Sequence, residues 1–266
     1  MPDSDLDAAM LRHYGEGGEH ARLTQGTGLL EFIRTQELLA TLLPPPPTVV
    51  IDVGGGAGSH AAPLAKRGYA VHLVDPVPLH IEQASAVPRL ASATVGDARA
   101  LDQADASADA VLLLGPLYHL TAREDRVQAL REAGRVVRPG GVVAAAGISR
   151  YASTLDGLFR GCLRDDGFEA LAERDVAEGQ HRNPGDVPGW FTTAYFHLPG
   201  ELVDEAAEAD LRNPSLTAIE GPAWLLPDLQ RWLDDDRALL LRAIRRVEAA
   251  PDLMGMSPHF LLSASR

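Results

Sequence analysis

Apolar positions along this chain follow two periods, and the change from one to the other outlines most of the fold. Up to about residue 43 they recur at helical spacing, with Leu29, Leu30, Ile33, Leu38, Leu39 and Leu42 set among Glu31, Arg34 and Glu37. Pro44-Pro45-Pro46-Pro47 then stops the helix and stiffens the approach to a strand. From Thr48 short β-branched runs alternate with amphipathic stretches. Strands are expected at about 48–53, 69–74, 93–95, 110–114 and 142–148, with helices at about 59–67, 78–86 and 121–137 between them. Arg138-Pro139-Gly140-Gly141 caps the last of these helices. Such alternation predicts a mostly parallel sheet covered by helices on both faces.

Beyond Ile148 the alternation is interrupted. Leu155, Leu158, Phe159 and Leu163 make an amphipathic stretch, followed by a His-, Asn-, Pro- and Gly-rich loop that ends at Trp190. A helix is expected from Pro199 to Leu211 and a short strand from Leu216 to Glu220. One long helix is expected over 228–248, with Leu229, Trp232, Leu233, Leu240, Ala243, Ile244 and Val247 on its apolar face. Phe260-Leu261-Leu262 reads as an edge strand. The expected organisation is a helical cap over 1–43 and an α/β domain over 44–266, with lid insertions at about 150–190 and 225–250.

Composition narrows the class. An apolar fraction of 45% with 23% charged residues is that of an ordinary globular protein, and the apolar runs are too short to span a bilayer. The polar start Met1-Pro2-Asp3-Ser4-Asp5 lacks the pattern of a signal peptide, so a cytoplasmic location is expected. Cys162 is the single cysteine, which excludes an internal disulfide framework and a cysteine-rich metal site. A formal charge of −13 argues against nucleic acid or an anionic membrane as partner. A monomer or homodimer acting on a small molecule is the expectation.

The candidate chemistry starts at Val49-Val50-Ile51-Asp52-Val53-Gly54-Gly55-Gly56-Ala57-Gly58-Ser59-His60, a buried strand that runs through crowded glycines into a helix. Glycine belongs where a turn takes positive φ or where backbone lies against a ligand. Dinucleotide enzymes space theirs Gly-x-Gly-x-x-Gly. Here the spacing is Gly54-x-Gly56-x-Gly58, and Asp52 precedes the turn. A carboxylate there repels a pyrophosphate but accepts a hydrogen bond from a cationic amino group. The stretch resembles the first motif of the class I S-adenosylmethionine-dependent methyltransferases, Asp/Glu-x-Gly-x-Gly-x-Gly.

In an open parallel sheet the ligand lies outside the carboxyl ends of the strands. Asp75-Pro76 follows the second strand, where an acid can accept both ribose hydroxyls of a nucleoside. Gly96-Asp97-Ala98 follows the third, where the carboxylate can hold the exocyclic amine of adenine. Leu114, Gly115 and Pro116 end the fourth and offer backbone carbonyls to a cation. With Arg138-Pro139-Gly140-Gly141 these segments resemble the methyltransferase family motif by motif over residues 48–148. The resemblance implies a Rossmann-like class I sheet of seven strands and S-adenosyl-L-methionine as cofactor. Arg34 is either a solvated charge or, should its helix fold over the site, a partner for the cofactor carboxylate, with Tyr14 beside it.

Methyl transfer from a sulfonium needs an aligned nucleophile, exclusion of water and, for a hydroxyl, a base. His119, just past the fourth strand, is the best placed histidine for that task, ahead of His181 and His197. Tyr118, Phe191, Tyr195, Phe196 and Trp224 are either ordinary core or the walls of an acceptor pocket, with Arg150, His181 and Asn183 as polar handles. The fourth strand lacks the Asn/Asp-Pro-Pro-Tyr/Phe motif of enzymes acting on nucleobase amines. No acidic cluster follows it, so no metal is expected. The expected function is methyl transfer to oxygen, nitrogen or carbon of a small organic acceptor. An NAD(P)-dependent oxidoreductase and a non-catalytic S-adenosylmethionine-binding protein remain the alternatives.

Overall fold

The computed structural model describes residues 22–266 apart from Asp186 and Pro188. They divide into two compact units that interleave along the chain. The first takes the residues up to Thr35 with Gly147–Glu201 and Leu216–Leu261, and the second Gln36–Ala146, Leu202–Ser215 and Leu262–Arg266. The described part of the expected cap is thus shared between them, and helix α1 (Gly26–Leu42) crosses the boundary.

The second unit is the α/β half. It contains β1 (Val49–Val53), α2 (Ala61–Lys66), β2 (Ala70–Asp75), α3 (Pro78–Ser85), β3 (Ser92–Val95), β4 (Ala108–Leu113), α4 (Pro116–His119), α5 (Arg123–Val136) and most of β5 (Val137–Ser149). Its strands run parallel in the order β3-β2-β1-β4-β5. Asp52 of β1 lies between Leu73 of β2 and Leu112 of β4, while Asp75 stands opposite Val95 of β3. Every residue of β4 is buried, as a strand with neighbours on both edges and helices on both faces must be.

Two local features set the edges of this half. The helix stops at Leu42 ahead of the prolines, and the Thr48 hydroxyl donates to the Pro45 carbonyl at 2.7 Å. Arg138-Pro139-Gly140-Gly141 proves to be a bulge inside β5 rather than a cap before it. Ala108 pairs with Val137, yet Ala110 pairs with Val142, so the intervening residues loop out. A Cβ at Gly141 would sit 2.6 Å from the Asp109 carbonyl, which leaves glycine as the residue that fits.

In the first unit β7 (Ala194–His197) pairs in parallel with the end of β5, through Ile148↔Phe196 and Ser149↔His197, and β6 (Gln180–His181) pairs antiparallel with β7. Helices α6 (Ala152–Arg160) and α7 (Asp166–Glu178) precede them, and α8 (Pro199–Glu208) and β8 (Arg212–Ala218) are each divided between the two units, at Glu201 and at Ser215. Nine strands are present among the described residues, against seven expected.

Four expectations are corrected here. Phe260-Leu261-Leu262 lies in β9 (His259–Ser265), which pairs with both β5 and β8 and is therefore interior, with these three residues at most 1% exposed. The strand expected at 216–220 starts earlier, at Arg212. The long helix over 228–248 is two, α9 (Leu229–Asp235) and α10 (Arg237–Arg245), broken at Asp236. Three successive aspartates, Asp234-Asp235-Asp236, have low helix propensity and repel one another. Leu229, Leu233, Leu240 and Ile244 still pack together with Leu30, because the break preserves the apolar stripe. Lastly, α6 presents the opposite face from the one its apolar residues suggest. Leu158 and Phe159 are 63% and 59% exposed, whereas Ser153 and Gly157 are buried. A Cβ on Gly157 would meet the Phe168 ring at 2.5 Å, so the small residues let α7 come close. Among the described residues no helix is long and apolar enough to cross a membrane.

Candidate functional site

The glycine turn leaves β1 and bends back over the end of β2, with the Gly54 N–H donating to the Val74 carbonyl at 2.7 Å. Gly54 and Gly56 have φ of +67° and +56°. At Gly54 a Cβ would also press on Pro116 Cδ at 2.8 Å, so packing against the strand-four end demands glycine there. Gly56 differs: among the described residues nothing lies within 4 Å of the place its Cβ would take. Its backbone faces open space, which is what close approach to a ligand requires.

Below the turn lie two carboxylates. Asp52 is 1% exposed, and its Oδ2 is buried with no hydrogen-bond partner among the described residues. Burial first, and then the Asp75 carboxylate, push its pKa up from 3.8 to about 7. An orphaned buried carboxylate is costly unless a donor or a cation arrives. Asp75 is the opposite case. Its Oδ2 accepts from the Gly56 N–H at 2.9 Å, and its Oδ1 from the Val77 N–H and from His80 Nδ1, each at 2.9 Å. A carboxylate offers about four lone pairs. Asp75 therefore has room for about one further donor on Oδ2, not the two ribose hydroxyls expected from the sequence. Pro76 sits between Asp75 and Val77 and lets the chain turn into α3.

Gly96 is tied to the same corner by its N–H, which donates to the Asp75 carbonyl at 3.2 Å, and it leads to Asp97 and Ala98. Asp97 is gripped by Arg99, whose Nη2 lies 2.6 Å from Oδ2. Burial pushes the pKa of Asp97 up, but its hydrogen bonds to Arg99 and the guanidinium charge outweigh this, so the net pKa is lowered. At the end of β4, Leu114 and Gly115 precede the short helix α4, which carries Tyr118 and His119. The Tyr118 hydroxyl donates to the Leu114 carbonyl at 3.4 Å, and its ring meets that of His119 edge-on at 4.7 Å. Arg126 holds the far end of this turn. It is 1% exposed, donates to the carbonyls of Leu120 and Thr121 at 3.0 Å, and is neutralised by Glu205 at 2.6 Å. Asp52, Gly54, Gly56, Gly58, Asp75, Pro76, Gly96, Asp97, Ala98, Leu114, Gly115, Tyr118 and His119 thus all belong to the second unit, in the carboxyl-terminal ends of its strands and the segments that follow them.

The remaining candidates belong to the first unit, apart from Tyr14, which lies outside the described residues. Arg34 is fully buried. Its Nε donates to the Ile219 carbonyl at 2.9 Å and its Nη2 pairs with Glu248, so it serves as an internal ion-pair partner rather than a presented charge. Arg150 is likewise spoken for, with Nη2 2.6 Å from Glu201 and 2.9 Å from the Tyr195 hydroxyl. His197 stands edge-on to Tyr195 at 4.8 Å. His181 is held by Asp175 at 2.8 Å and stacks on Phe196 at 4.7 Å, with Phe191 at 6.1 Å. Asn183 closes a local turn through both of its amide atoms to Val187, and Trp224 Nε1 donates to the Met256 carbonyl at 2.9 Å. Arg34, Arg150 and His181 each pair with an acid that the sequence did not mark: Glu248, Glu201 and Asp175. In the second unit His80, Arg99 and Asp125 were missed as well. A histidine five residues past Asp75 and an arginine two past Asp97 were the available signals.

Residues 50–141 match the family model described as "Methyltransferase domain". An uncharacterized methyltransferase of Mycobacterium tuberculosis is 35% identical over 105 residues, 40% of this chain and 42% of the relative. A ubiquinone biosynthesis O-methyltransferase of Methylocella silvestris is 36% identical over 103 residues, 37% of this chain and 39% of that protein. The chain thus spans about two fifths of the length of these curated relatives. Among solved structures, an S-adenosylmethionine-dependent methyltransferase from Methanosarcina mazei superposes with a TM-score of 0.57 at 15% identity, covering 86% of this chain and 96% of the other.

Proposed function

We propose, from the match of residues 50–141 to the methyltransferase domain model, that the chain is a class I S-adenosylmethionine-dependent methyltransferase and that it methylates a hydroxyl of a small organic acceptor. The observation that carries the cofactor assignment is the buried Asp52 carboxylate, whose Oδ2 has no partner among the described residues, beside a Gly56 backbone that they leave open. It suits a cationic amino group and would repel a pyrophosphate, which sets the nicotinamide alternative aside.

The residues present fit S-adenosylmethionine, which when bound supplies a methyl group on a sulfonium that departs as a neutral thioether. Asp52 would take the amino group, the free lone pair of Asp75 a ribose hydroxyl, and Asp97 the exocyclic amine of the base. The Leu114 carbonyl would face the cationic end. Tyr118 and His119 remain for the acceptor. His119 orients a hydroxyl or removes its proton, and Tyr118 shields that spot from water. Oxygen is favoured over nitrogen because an amine needs no base to attack a sulfonium, whereas a hydroxyl gains from one. The Methylocella relative, an O-methyltransferase by name, supports the same choice.

Calorimetry with S-adenosylhomocysteine and with NAD tests the cofactor, and binding of NAD in preference would overturn the reading. A panel of small phenols, alcohols and amines then tests the acceptor by transfer of a labelled methyl group. His119→Ala should raise KM about tenfold if the ring orients the acceptor, or cut turnover by about 10²–10⁴-fold if it is the base. Unchanged KM and kcat would remove His119 from the site.

A further inference from the structure

The turn after β3 is more elaborate than an adenine-holding acid requires. Asp97 and Ala100 close it, with the Ala100 N–H donating to the Asp97 carbonyl at 3.1 Å. Within it the Arg99 side chain folds back onto Asp97. Nε lies 3.0 Å from Oδ1 and 3.1 Å from Oδ2, Nη2 lies 2.6 Å from Oδ2, and the Arg99 main-chain N–H donates to Oδ1 at 2.8 Å. The guanidinium does not stop there. Nη1 reaches Asp125 at 3.1 Å, in the first turn of α5, and Gln128 of the same helix donates to the Arg99 carbonyl at 3.2 Å. A planar fork held at both ends fixes the plane of the carboxylate it grips.

Counting lone pairs shows what this leaves. Oδ1 receives the main-chain N–H, Oδ2 receives Nη2, and the single Nε hydrogen is shared between the two oxygens, so among the described residues about one acceptor position remains, on Oδ2. The Asp97 side chain is 45% exposed, so that position is open to a ligand. It is an acceptor only, since the bound guanidinium keeps the carboxylate ionised. One fixed acceptor matches one N–H of an exocyclic amine. It faces a base carbonyl at the same place as like against like.

We infer that Arg99, braced by Asp125, is a positioning residue that makes Asp97 a single-acceptor reader of the nucleobase, selecting a 6-aminopurine over its 6-oxo counterpart. This rests on the cofactor reading above and adds to it the residues that set base specificity. Without the Arg99 side chain the carboxylate keeps only the main-chain N–H on Oδ1, and Oδ2 is no longer held in one orientation. The 6-amino contact then weakens, and a 6-oxo base is no longer met by an acceptor held in place.

The test is calorimetry of the full chain with S-adenosylhomocysteine and with S-inosylhomocysteine, for the wild type, Arg99→Ala, Arg99→Lys and Asp125→Asn. The wild type should prefer the adenosyl ligand by about 100-fold, since an unpaired polar group at a built hydrogen-bonding site is strongly rejected. Arg99→Ala should weaken the adenosyl ligand about 10- to 100-fold, the range for one hydrogen bond to a charged group, and leave the inosyl ligand nearly unchanged. Arg99→Lys, with a point charge and no fork, should recover only part of the preference. Asp125→Asn should lose part of it, and because its side chain is 38% exposed it tests the brace even where Arg99→Ala folds poorly. The readout is the ratio of the two affinities, which partial unfolding would not move. Parallel loss for both ligands, or an unchanged ratio, overturns the proposal alone. A wild type that binds neither ligand overturns it together with the cofactor reading.

Discussion

Replacing Asp52 with asparagine separates stability from binding in a way that few substitutions at this site would. The gap between its ordinary pKa of 3.8 and the folded value of about 7 corresponds to ~4 kcal/mol, at about 1.4 kcal/mol per pH unit. That is the cost of holding the bare charge in the folded chain. Through this window the folded carboxylate keeps a proton that the unfolded one has lost. The contribution of Asp52 to stability is therefore whole below about pH 3.8 and lost as pH rises through about 7. Asp52→Asn removes the charge, so at about pH 8 the ligand-free variant should be more stable than the wild type. The expected gain is ~1–3 kcal/mol, less than the full figure because the amide needs partners of its own. Binding should move the other way. A cationic amino group calls for an ionised Asp52, so cofactor uptake below about pH 7 must expel a proton, and wild-type affinity should fall about tenfold per pH unit there. In the variant that slope should vanish, and affinity at about pH 8 should drop by about 10- to 100-fold. Calorimetry with S-adenosylhomocysteine from about pH 5.5 to 8.5, paired with thermal unfolding, measures both. A flat wild-type binding profile, or a variant less stable than the wild type at the alkaline end, would refute the reasoning.

Two further outcomes follow from the geometry. Gly56→Val should abolish detectable cofactor binding while lowering stability by only ~1–3 kcal/mol, from strain at positive φ, since its Cβ meets no atom of the described residues; retained affinity in calorimetry would show that no ligand approaches there. His259 lies 2.7 Å from Glu220 and 4.0 Å from Glu31. Burial lowers its pKa, but the two carboxylates and the hydrogen bond to Glu220 outweigh it and raise the value from 6.5 to about 9. Its stabilisation is thus whole below about pH 6.5 and lost as pH rises through about 9. The deficit in unfolding temperature of His259→Gln should be largest near neutrality and shrink by about pH 10, and a deficit constant with pH would contradict the ion pair.

What the linear chain determined by itself was whatever depends on near neighbours. Alternation of β-branched runs with amphipathic stretches placed β1, β2, β3, β4, α3 and α5 to within a few residues, because period and propensity are local properties. The glycine turn and the acids after each strand were legible for the same reason, since a strand end and the residue beyond it are contiguous. Tertiary structure decided which groups satisfy which. Amphipathy sent Leu158 and Phe159 inward, yet the close approach of α7 to Gly157 turned that face outward. The apolar run at 260–262 read as an edge until pairing on both sides put it inside the sheet. Arg34, Arg150 and His181 looked available because their acids, Glu248, Glu201 and Asp175, gave no sign of pairing with them in the sequence. Asp75 and Asp97 were recognised, but their remaining capacity was not, because His80 and Arg99 occupy lone pairs that no spacing rule counts. A side chain's type is written in the sequence, whereas how many of its hydrogen bonds stay open for a ligand is settled only when the chain has closed around it.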